Sequence, residues 1–421
     1  MLDKALRVIE KYIPKKLYRF FQPAYHYSLA FASALLYRFP GRKIFVLGVT
    51  GTKGKTSTIE LVSAILEEAG YTTAIISTLR FKVGKEEERN LYKMTMPGRF
   101  FIQKMLRRAV KNKCDFAIVE MTSEGARFFR HKFTYMNALI FTNLSPEHIE
   151  SHGSFENYLN AKLEIAKALE SSPKKNRVIV ANVDDKFAEK FLNTSVPTKK
   201  TFSLSDGKPF ALGDSGIDFT LLGEKIHSKL SGEFNLYNIL AAISFTQTQN
   251  VDKNIIKRAL EKFSGIRGRM ERIEAGQDFT VIVDYAHTPD SLEKVYQVFQ
   301  NQKKICVLGG TGGGRDGWKR PVMGNIAKRY CDHIILTNED PYDEDPRKIV
   351  DEIRGAIGGV NCEIIMDRRE AIREAFKHAK TGDAVIITGK GTDPYIMGAN
   401  GSKTEWDDAD VAREELKKLT F

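Results

Sequence analysis

GVTGTKGKTS (Gly48–Ser57) separates a short apolar run from an amphipathic one. Residues 44–49 are typical of a buried strand, and Ile59, Val62 and Leu66 recur at the spacing of one helix face. A glycine-rich turn at such a junction leaves backbone N–H groups free to point at a bound anion. The stretch therefore predicts a cradle for the phosphates of a nucleoside triphosphate.

Two side chains at the end of this loop strengthen that interpretation. Lys55 would reach the outer phosphates and Thr56 would hold Mg²⁺. The spacing departs from G-x-x-x-x-G-K-[ST], because Val49 stands where the first glycine belongs and Gly48 comes one residue earlier. The loop is thus a variant, and the strand, the helix and the Lys-Thr pair together favour it over an ordinary glycine turn.

The composition is that of a core-forming chain with two or three domains. It has 421 residues, of which 42% are apolar and 28% charged, more than one core usually supports. The cysteines have no C-x-x-C spacing, so we expect reduced thiols in a cytosolic setting, with neither a disulfide framework nor a zinc site. The net charge of +12 predicts anionic partners, but no RNP-type or helix-turn-helix motif supports nucleic acid.

The first 42 residues form a basic and aromatic segment. Cations such as Lys15, Lys16 and Arg19 precede an apolar stretch at 25–37, which is short for a membrane span and lacks an evident cleavage site for a signal peptide. Two interpretations stay open. The segment is either a helical pair lying on an anionic bilayer or a helix packed on the protein's own surface.

Strand-like and helix-like runs alternate along the rest of the chain, which predicts an α/β fold with parallel sheets. Strands are expected at 116–120, 138–143 and 178–182, and a second series at 280–284, 304–308, 333–337, 363–366 and 384–388. The glycine and arginine stretch at 265–269 is the best hinge candidate. We therefore predict a helical extension (1–42), a P-loop-type central domain (43–266) and a Rossmann-like C-terminal domain (267–421).

Three residues after the loop are candidates for one shared site. Glu120 ends a predicted strand, His148 follows Asn143, and Lys162 lies in a helical run. Each has an ordinary structural explanation alone. Ligands of parallel sheets collect at the carboxyl ends of strands, so their order after this loop favours a shared site.

That combination resembles the Mur ligase family, the ATP-dependent ligases that build the peptide of bacterial peptidoglycan, and most of all its MurE type. The resemblance runs from about residue 43 to the C-terminus. It rests on Gly51-Thr52-Lys53-Gly54-Lys55-Thr56, Phe141-Thr142-Asn143-Leu144, His148, Ala161-Lys162, Gly232–Asn238, Gly268-Arg269-Met270-Glu271, Asp284–Pro289, Gly314-Arg315-Asp316, Lys319-Arg320-Pro321 and Gly389-Lys390-Gly391.

The resemblance implies a role for each matching residue. Lys55, Glu120, His148 and Lys162 would be catalytic, and Thr56, Glu120, His148 and a carbamylated Lys162 would support the magnesium ions. The nucleotide would be bound by Gly51, Thr52, Lys53, Gly54, Lys55, Thr56, Ser57, Asn143, Asn238, Arg269, Asp284, Arg315 and Lys319.

The implied reaction joins an amino acid to a UDP-N-acetylmuramoyl peptide through an acyl phosphate, with ATP and Mg²⁺. Positioning and charge neutralisation suffice for such chemistry. The substrates would be bound by Thr95, Pro97, Thr122, Ser123, Glu339, Asp340, Tyr342, Gly389 and Asp393. We expect a monomer in the cytoplasm, with peripheral membrane contact through residues 1–42 at the inner face as one option.

Two departures from the family pattern bear on the substrates. A MurE ligase carries its own N-terminal domain for the uridine diphosphate end, whereas about forty residues precede the first predicted strand here, so a lipid-linked acceptor is an alternative. Diaminopimelate ligases carry Asp-Asn-Pro-Arg where this chain has Glu339-Asp340-Pro341-Tyr342, and tyrosine cannot make the bidentate carboxylate contact of arginine. With Asp340, Asp343 and Asp393 nearby, we predict a basic or neutral amino acid instead.

Other members of the superfamily remain alternatives, namely a folylpolyglutamate synthase, a poly-glutamate or cyanophycin ligase, or a MurT-type amidating partner. The segments at Asp284 and Gly314 favour MurE over the first, and the absence of a cysteine-rich insert disfavours the last. A nucleotide-binding scaffold without catalysis is a further alternative. The intact Lys55, Thr56 and Glu120 argue against it.

Overall fold

The computed structural model describes residues 15–147, 149–221, 223–314, 317–359 and 361–419. These residues form two compact units. The first holds the described residues up to Ser203 together with Ala241–Asp252, and the second holds Leu204–Leu240 and the described residues from Lys253 onward. Residues 204–240 and 253–266 thus belong to the second unit, and the domain limits at 42/43 and 266/267 stay predictions.

An eight-stranded sheet carries the first unit. Its strands are β1 (Phe45–Thr50), β2 (Thr73–Ile76), β3 (Arg80–Val83), β4 (Glu86–Arg89), β5 (Phe116–Glu120), β6 (Ala138–Phe141), β7 (Val178–Asn182) and β8 (Thr198–Phe202). Their order is β4-β3-β2-β5-β1-β6-β7-β8, parallel from β2 to β8 with β3 and β4 as an antiparallel edge. The parallel arrangement brings Thr50, Glu120 and the residues after Phe141 to one edge of the sheet.

Helices on this unit come from segments with apolar residues on one face. They are α1 (Lys15–Leu36), α2 (Lys55–Glu68), α3 (Arg99–Lys111), α4 (Ser123–Arg127), α5 (Ile149–His152), α6 (Phe155–Glu170) and α7 (Ala188–Leu192). The predicted face of α2 is buried at Ile59, Val62 and Leu66. Helix α8 (Glu233–Thr248) begins in the second unit and ends in the first.

A six-stranded sheet carries the second unit. The strands of this main sheet are β12 (Glu271–Arg272), β13 (Thr280–Asp284), β14 (Lys304–Leu308), β15 (His333–Leu336), β16 (Cys362–Ile364) and β17 (Ala384–Thr388). The same unit also holds a three-stranded antiparallel sheet of β9 (Phe210–Leu212), β10 (Ile217–Leu221) and β11 (Glu224–Ser228). A two-stranded sheet pairs β18 (Tyr395–Met397) with β19 (Lys403–Glu405). The main sheet is ordered β12-β13-β17-β14-β15-β16, parallel apart from β12.

Helices cover both faces of that sheet, each over its own hydrophobic core. They are α10 (Pro289–Val298), α11 (Lys319–Tyr330), α12 (Pro346–Ile357), α13 (Arg368–His378) and α14 (Asp408–Leu416), whereas α9 (Lys253–Lys262) contacts β11 of the three-stranded sheet. Alternation along β15 sends Ile334 into one core and Ile335 into the other. Both units are α/β with largely parallel sheets, which confirms the predicted fold class.

Helix α1 exposes apolar side chains, some of which also contact neighbouring aromatic rings. Phe31 and Leu35 are 45% and 57% exposed, while Tyr27 and Phe31 also contact the ring of Phe133. Residues 1–14 of the predicted extension lie outside the described residues. Among the helices of the described ranges, none combines the length and the apolar character needed to cross a membrane.

One cysteine pair corrects an expectation. Cys306 on β14 and Cys331 at the end of α11 form a disulfide, with their Cα atoms 6.1 Å apart. The expectation of four reduced thiols is therefore wrong for this pair, whereas Cys114 and Cys362 are free. Spacing could not reveal the pair, because 25 residues separate the two cysteines.

Candidate active site

The loop between β1 and α2 requires glycine at two positions. Gly51 has φ +150°, and a Cβ built there would lie 1.9 Å from Thr142 Oγ1. Gly54 has φ +81° and immediately precedes α2. Larger side chains would therefore displace the backbone that must approach a ligand closely.

Asn143 holds this loop in place. Its Oδ1 accepts a hydrogen bond from Lys53 N at 3.0 Å, and its Nδ2 donates to Lys53 O at 3.1 Å. Its backbone carbonyl accepts from Thr52 N at 2.8 Å. The structure thus places Asn143, Thr52 and Lys53 together, with Asn143 bonded to the loop itself, and their role in nucleotide binding stays a prediction.

Lys55 lies over the loop from the first turn of α2. Its Nζ donates to Gly51 O at 3.1 Å and to Thr52 O at 2.9 Å. The ammonium therefore sits at the glycine turn, where backbone N–H groups and the positive end of the helix favour an anion. Ser57 is buried in the same turn.

Thr56 and Glu120 bring a hydroxyl and a carboxylate together beside the loop. Thr56 Oγ1 donates to Glu120 Oε2 at 3.1 Å, and Thr78 N donates to the same oxygen at 2.8 Å. Glu120 is 2% exposed at the end of β5. A hydroxyl and a carboxylate oxygen are ligands that Mg²⁺ prefers.

Lys162 is buried against the same loop from α6. It is 2% exposed, and its Nζ donates to Gly51 O at 2.6 Å. Burial, and then the charge of Lys55, hold the pKa of Lys162 well below its ordinary value, against the opposing charges of Glu147 and Glu120. This shift favours the neutral, nucleophilic amine.

Four of the residues predicted to bind the substrates lie in two further segments of the first unit. Thr95 Oγ1 lies 2.7 Å from Thr78 Oγ1, and Pro97 lies in the segment between β4 and α3. Thr122 accepts a hydrogen bond from Gly125 N at the start of α4. Ser123 Oγ lies 3.1 Å from His152 Nε2.

His148 lies outside the described residues, as does Arg315. Their predicted roles are therefore carried only by the resemblance. His152 was not singled out from the sequence, although it lies four residues further on and its ring reaches Ser123.

In the second unit, Asp284 organises the turn after β13. Its carboxylate accepts hydrogen bonds from Met270 N and Ala286 N, both at 2.7 Å. Burial raises the pKa of Asp284, and the charge of Arg269 opposes that shift. The Arg269 guanidinium carbon lies 4.1 Å from the Tyr285 ring centroid, so a cation–π contact holds this guanidinium in place.

Two other predicted nucleotide contacts also lie in this unit. Asn238 is buried in α8, where its Nδ2 donates to Asn235 Oδ1 at 3.0 Å. Lys319 begins α11, with its Nζ 6.0 Å from the Trp318 ring centroid.

Glu339 follows β15 and is buried beside a glycine. Thr311 donates to Glu339 Oε1 at 2.8 Å, and burial followed by the charge of Asp340 raises the pKa of Glu339. A Cβ at Gly389, which has φ +106°, would lie 2.5 Å from Glu339 Oε2. Glycine is therefore needed there for packing against the carboxyl group.

A buried lysine joins two of the predicted selector carboxylates. Lys390 Nζ donates to Asp340 Oδ1 and to Asp393 Oδ2, both at 2.9 Å. These carboxylates are therefore partly neutralised, which weakens the expectation that they present a full double negative charge. Tyr342 follows with φ +52°, close against Gly313.

The sequence pattern does not single out Tyr158, and it gives Lys390 no role. Tyr158 OH lies 2.9 Å from Thr52 Oγ1, and its ring centroid lies 4.8 Å from Lys162 Nζ. The spacing of four residues between Tyr158 and Lys162 on a helical run was the available signal. Lys390 carried none, because Asp340 lies fifty positions away.

The fold and this loop define an α/β nucleotide-binding protein of the P-loop type with a second, Rossmann-like unit. Comparison with known families is specific. The model described as "Mur ligase middle domain" matches residues 49–246, and "Mur ligase, glutamate ligase domain" matches residues 268–391.

Relatives that match along most of this chain carry names from the same family. The chain is 38% identical over 405 residues to "UDP-N-acetylmuramoyl-L-alanyl-D-glutamate--2,6-diaminopimelate ligase" of Syntrophomonas wolfei, covering 93% of this chain and 82% of that protein. It is 35% identical over 421 residues to "UDP-N-acetylmuramyl-tripeptide synthetase" of Roseiflexus, covering 94% and 82%. The chain belongs to the Mur ligase family, and it is an ATP-dependent ligase that forms amide bonds.

Solved structures support the same fold. A structure of a "UDP-N-acetylmuramoyl-L-alanyl-D-glutamate--2, 6-diaminopimelate ligase" matches with a TM-score of 0.61 and 28% identity, covering 89% of this chain and 78% of that one. A folylpolyglutamate synthase of Mycobacterium tuberculosis matches with a TM-score of 0.69 at 18% identity, covering 86% and 91%. The second likeness bears on the fold alone.

Proposed function

We propose that the chain adds one amino acid to a UDP-N-acetylmuramoyl peptide during peptidoglycan precursor synthesis. The observation that carries the proposal is the convergence of Lys55, Lys162 and the Thr56–Glu120 pair around Gly51, in a chain 38% identical to a named ligase of that peptide. The acceptor carboxylate would attack the γ-phosphate of ATP, giving an acyl phosphate and ADP. The amino group of the incoming amino acid would then displace phosphate.

The residues around the loop fit ATP and Mg²⁺. Gly51 lets the loop pack closely against Thr142, where any Cβ would clash, and Lys55 supplies a cation at this turn. Thr56 and Glu120 would hold Mg²⁺, which neutralises phosphate charge when bound. Lys55 then orients the phosphates, while burial of Glu120 keeps its carboxylate in place.

Lys162 is proposed to act as a carbamate. A buried ammonium at this position would repel a metal ion beside Glu120, whereas a carbamate would be an anion able to support it. The lowered pKa of Lys162, caused first by burial, leaves a neutral amine that can form an N–C bond to carbon dioxide, with one C=O π bond opening and one N–H proton released to solvent. His148 would be a further ligand.

The second unit would supply the remaining contacts to nucleotide and amino acid. Arg269 and Lys319 carry positive charge suited to phosphate, and Asp284 and Asn238 would contact the nucleoside. These roles rest on the resemblance together with the ordered positions described above.

The amino acid is proposed to lack a distal carboxylate. Tyr342 stands where diaminopimelate ligases carry arginine, and the two carboxylates Asp340 and Asp393 share one lysine, so the local charge stays negative. Lysine, ornithine or a neutral amino acid fits this environment better than diaminopimelate. The weaker negative charge leaves lysine and neutral residues as comparable candidates.

The proposal is tested by phosphate release from ATP with Mg²⁺ and UDP-N-acetylmuramoyl dipeptide, screened against lysine, ornithine, diaminopimelate and neutral amino acids. Release tied to one amino acid, with the corresponding tripeptide seen by mass spectrometry, would support it. If diaminopimelate were the sole amino acid used, the proposed lack of a distal carboxylate would be wrong, while the proposed acceptor would stand. No release with any of them would contradict the UDP-linked acceptor.

A lipid-linked acceptor is the second candidate, favoured by the exposed apolar side of α1. Phe21 and Tyr25 are 56% and 43% exposed, beside Phe31 and Leu35, and basic residues flank the helix. Such a surface suits the interface of an anionic bilayer. Flotation with anionic vesicles should recover the wild type and lose the Phe31→Ser/Leu35→Ser variant. Leu212→Ser, at an exposed strand position, is the control, and equal flotation of all three would remove this candidate.

A further inference from the structure

A second ligand-like cluster lies at the edge of the sheet in the second unit. His333 Nε2 and His378 Nε2 each lie 3.0 Å from the same atom, Glu363 Oε1. The ligand atoms of these three residues lie within 4.8 Å of one another, and the two imidazole centroids are 4.1 Å apart. Three potential ligand atoms therefore converge on one point.

The fold explains why these residues meet. His333 begins β15, and Glu363 lies in β16 opposite Ile335, so alternation places both side chains on the face covered by α13. His378 is the last residue of α13. The cluster thus lies at the amino end of β15, whereas Glu339 and Asp340 follow its carboxyl end, so it is separate from the selector residues.

One ligand atom is left without a hydrogen bond. His333 is buried, with 8% of its side chain exposed, and its Nε2 has no hydrogen-bond partner despite the 3.0 Å distance to Glu363 Oε1. A buried ring nitrogen without a partner is costly.

We propose that His333, Glu363 and His378 form a divalent transition-metal site. Two imidazole nitrogens and one carboxylate oxygen are donors typical of Zn²⁺ and its neighbours, and they suit Mg²⁺ or Ca²⁺ poorly. Ligand atoms bound at about 2.0–2.1 Å around a near-tetrahedral ion lie roughly 3.3 Å apart. The two N···O pairs are 3.0 Å apart and all three ligand atoms lie within 4.8 Å of one another, so small side-chain adjustments would complete the geometry.

Three features favour a cation at this point. His378 ends a helix, where the carbonyl dipoles favour positive charge. Glu374 Oε1 lies 3.7 Å from His378 Nε2 and could become a fourth ligand. Glu363 and His378 are 41% and 37% exposed, so an ion can enter from solvent. Because the ligands come from β15, β16 and α13, the site would tie the edge of the sheet to its helix.

The test is calorimetric titration of the full, untagged chain with ZnCl₂ alone, without nucleotide. The wild type should bind Zn²⁺ at a site that His378→Gln and Glu363→Gln weaken at least about tenfold. His227→Gln is the matched control, because His227 is an exposed histidine of the same unit that also contacts a carboxylate, Asp218. Its titration should equal that of the wild type.

A second measurement keeps folding separate from binding. The altered residues are partly exposed, so the variants should keep the wild-type circular dichroism and unfolding midpoint without metal, and Zn²⁺ should raise the midpoint of the wild type and of His227→Gln only. Identical Zn²⁺ titrations for the wild type and both ligand variants would overturn the site. A wild type that binds no Zn²⁺ would overturn it as well.

Discussion

Lys162 shows how strongly one residue depends on its surroundings. Its side chain is buried beside Gly51 O, and the charge of Lys55 adds to the effect of burial in lowering its pKa. An exposed lysine of the same helix, Lys167, instead has its pKa raised by its bond to Glu164. Two lysines of one helix therefore have pKa values shifted in opposite directions.

Lys162→Ala should reduce ligase activity by at least about a hundredfold, because both the proposed anion and its contact with the loop are lost. Added short carboxylates should restore part of the rate by occupying the vacated space. Phosphate release measures both effects. Lys167→Ala should retain wild-type activity, and full activity in Lys162→Ala would contradict the carbamate role.

Tyr342→Arg should raise the rate with diaminopimelate about tenfold or more, because a guanidinium can pair with the distal carboxylate through two hydrogen bonds. The rates with lysine and with diaminopimelate give the ratio to be measured. Tyr342→Lys supplies the charge without the planar fork and should gain less. Unchanged selectivity in both variants would show that residue 342 does not contact the amino acid.

Gly51→Ala should weaken ATP binding at least about tenfold and destabilise the fold by about 1–3 kcal/mol, since its Cβ would clash with Thr142. Gly70→Ala is the control, because Gly70 also has positive φ, +88°, but nothing lies within 4 Å of a Cβ there. It should cost about 1–2 kcal/mol and leave binding intact. Fluorescent nucleotide titration and urea unfolding measure the two quantities, and normal ATP binding by Gly51→Ala would count against the cradle.

At the scale of elements, Glu415 joins α14 to α13. The side chain is fully buried, and it accepts hydrogen bonds from Arg373, Arg369 and Lys418. Burial alone would raise its pKa, but the bonds from these three cations lower the pKa of Glu415 to about 2. Its charge therefore holds the two helices together.

Glu415→Gln should lower the free energy of unfolding by about 1–3 kcal/mol near neutral pH, because charged hydrogen bonds are lost. The folded pKa lies below the ordinary 4.5, so this stabilisation is fully present above about 4.5 and disappears as pH falls through about 2. Urea unfolding between pH 2 and 7 should show the difference from wild type shrink with acid. Glu414→Gln, at an exposed neighbour, should change little. A pH-independent difference would contradict the assignment.

At the scale of the whole molecule, two compact units are expected to respond differently to ligand. ATP with Mg²⁺ at about a hundred times its Kd should stabilise the unit that binds it by roughly 2.7 kcal/mol. Differential scanning calorimetry should therefore show an upward shift in the wild type that Lys55→Ala loses and Lys167→Ala keeps. An equal rise of the unfolding temperature in Lys55→Ala would show that Lys55 in this loop does not contribute to nucleotide binding.

Much of the fold was predictable because buried parallel strands are short, nearly continuous apolar runs. The predicted limits match β5, β7, β13, β14 and β17. The antiparallel strands β3 and β4 and the small sheet β9 to β11 were not predicted, since their residues carry weak or mixed patterns. Helix α2 was predicted because its apolar face repeats clearly.

The sequence by itself determined the nucleotide loop, the α/β class and the family, because these depend on neighbouring residues and on apolar runs. Only the tertiary structure decided that Lys162 is buried on the loop, that Lys390 is shared by Asp340 and Asp393, and that two histidines converge on Glu363. Protonation, ion pairing and ligation depend on distances of a few ångströms between residues far apart in the chain. Spacing along the sequence carries no record of those distances.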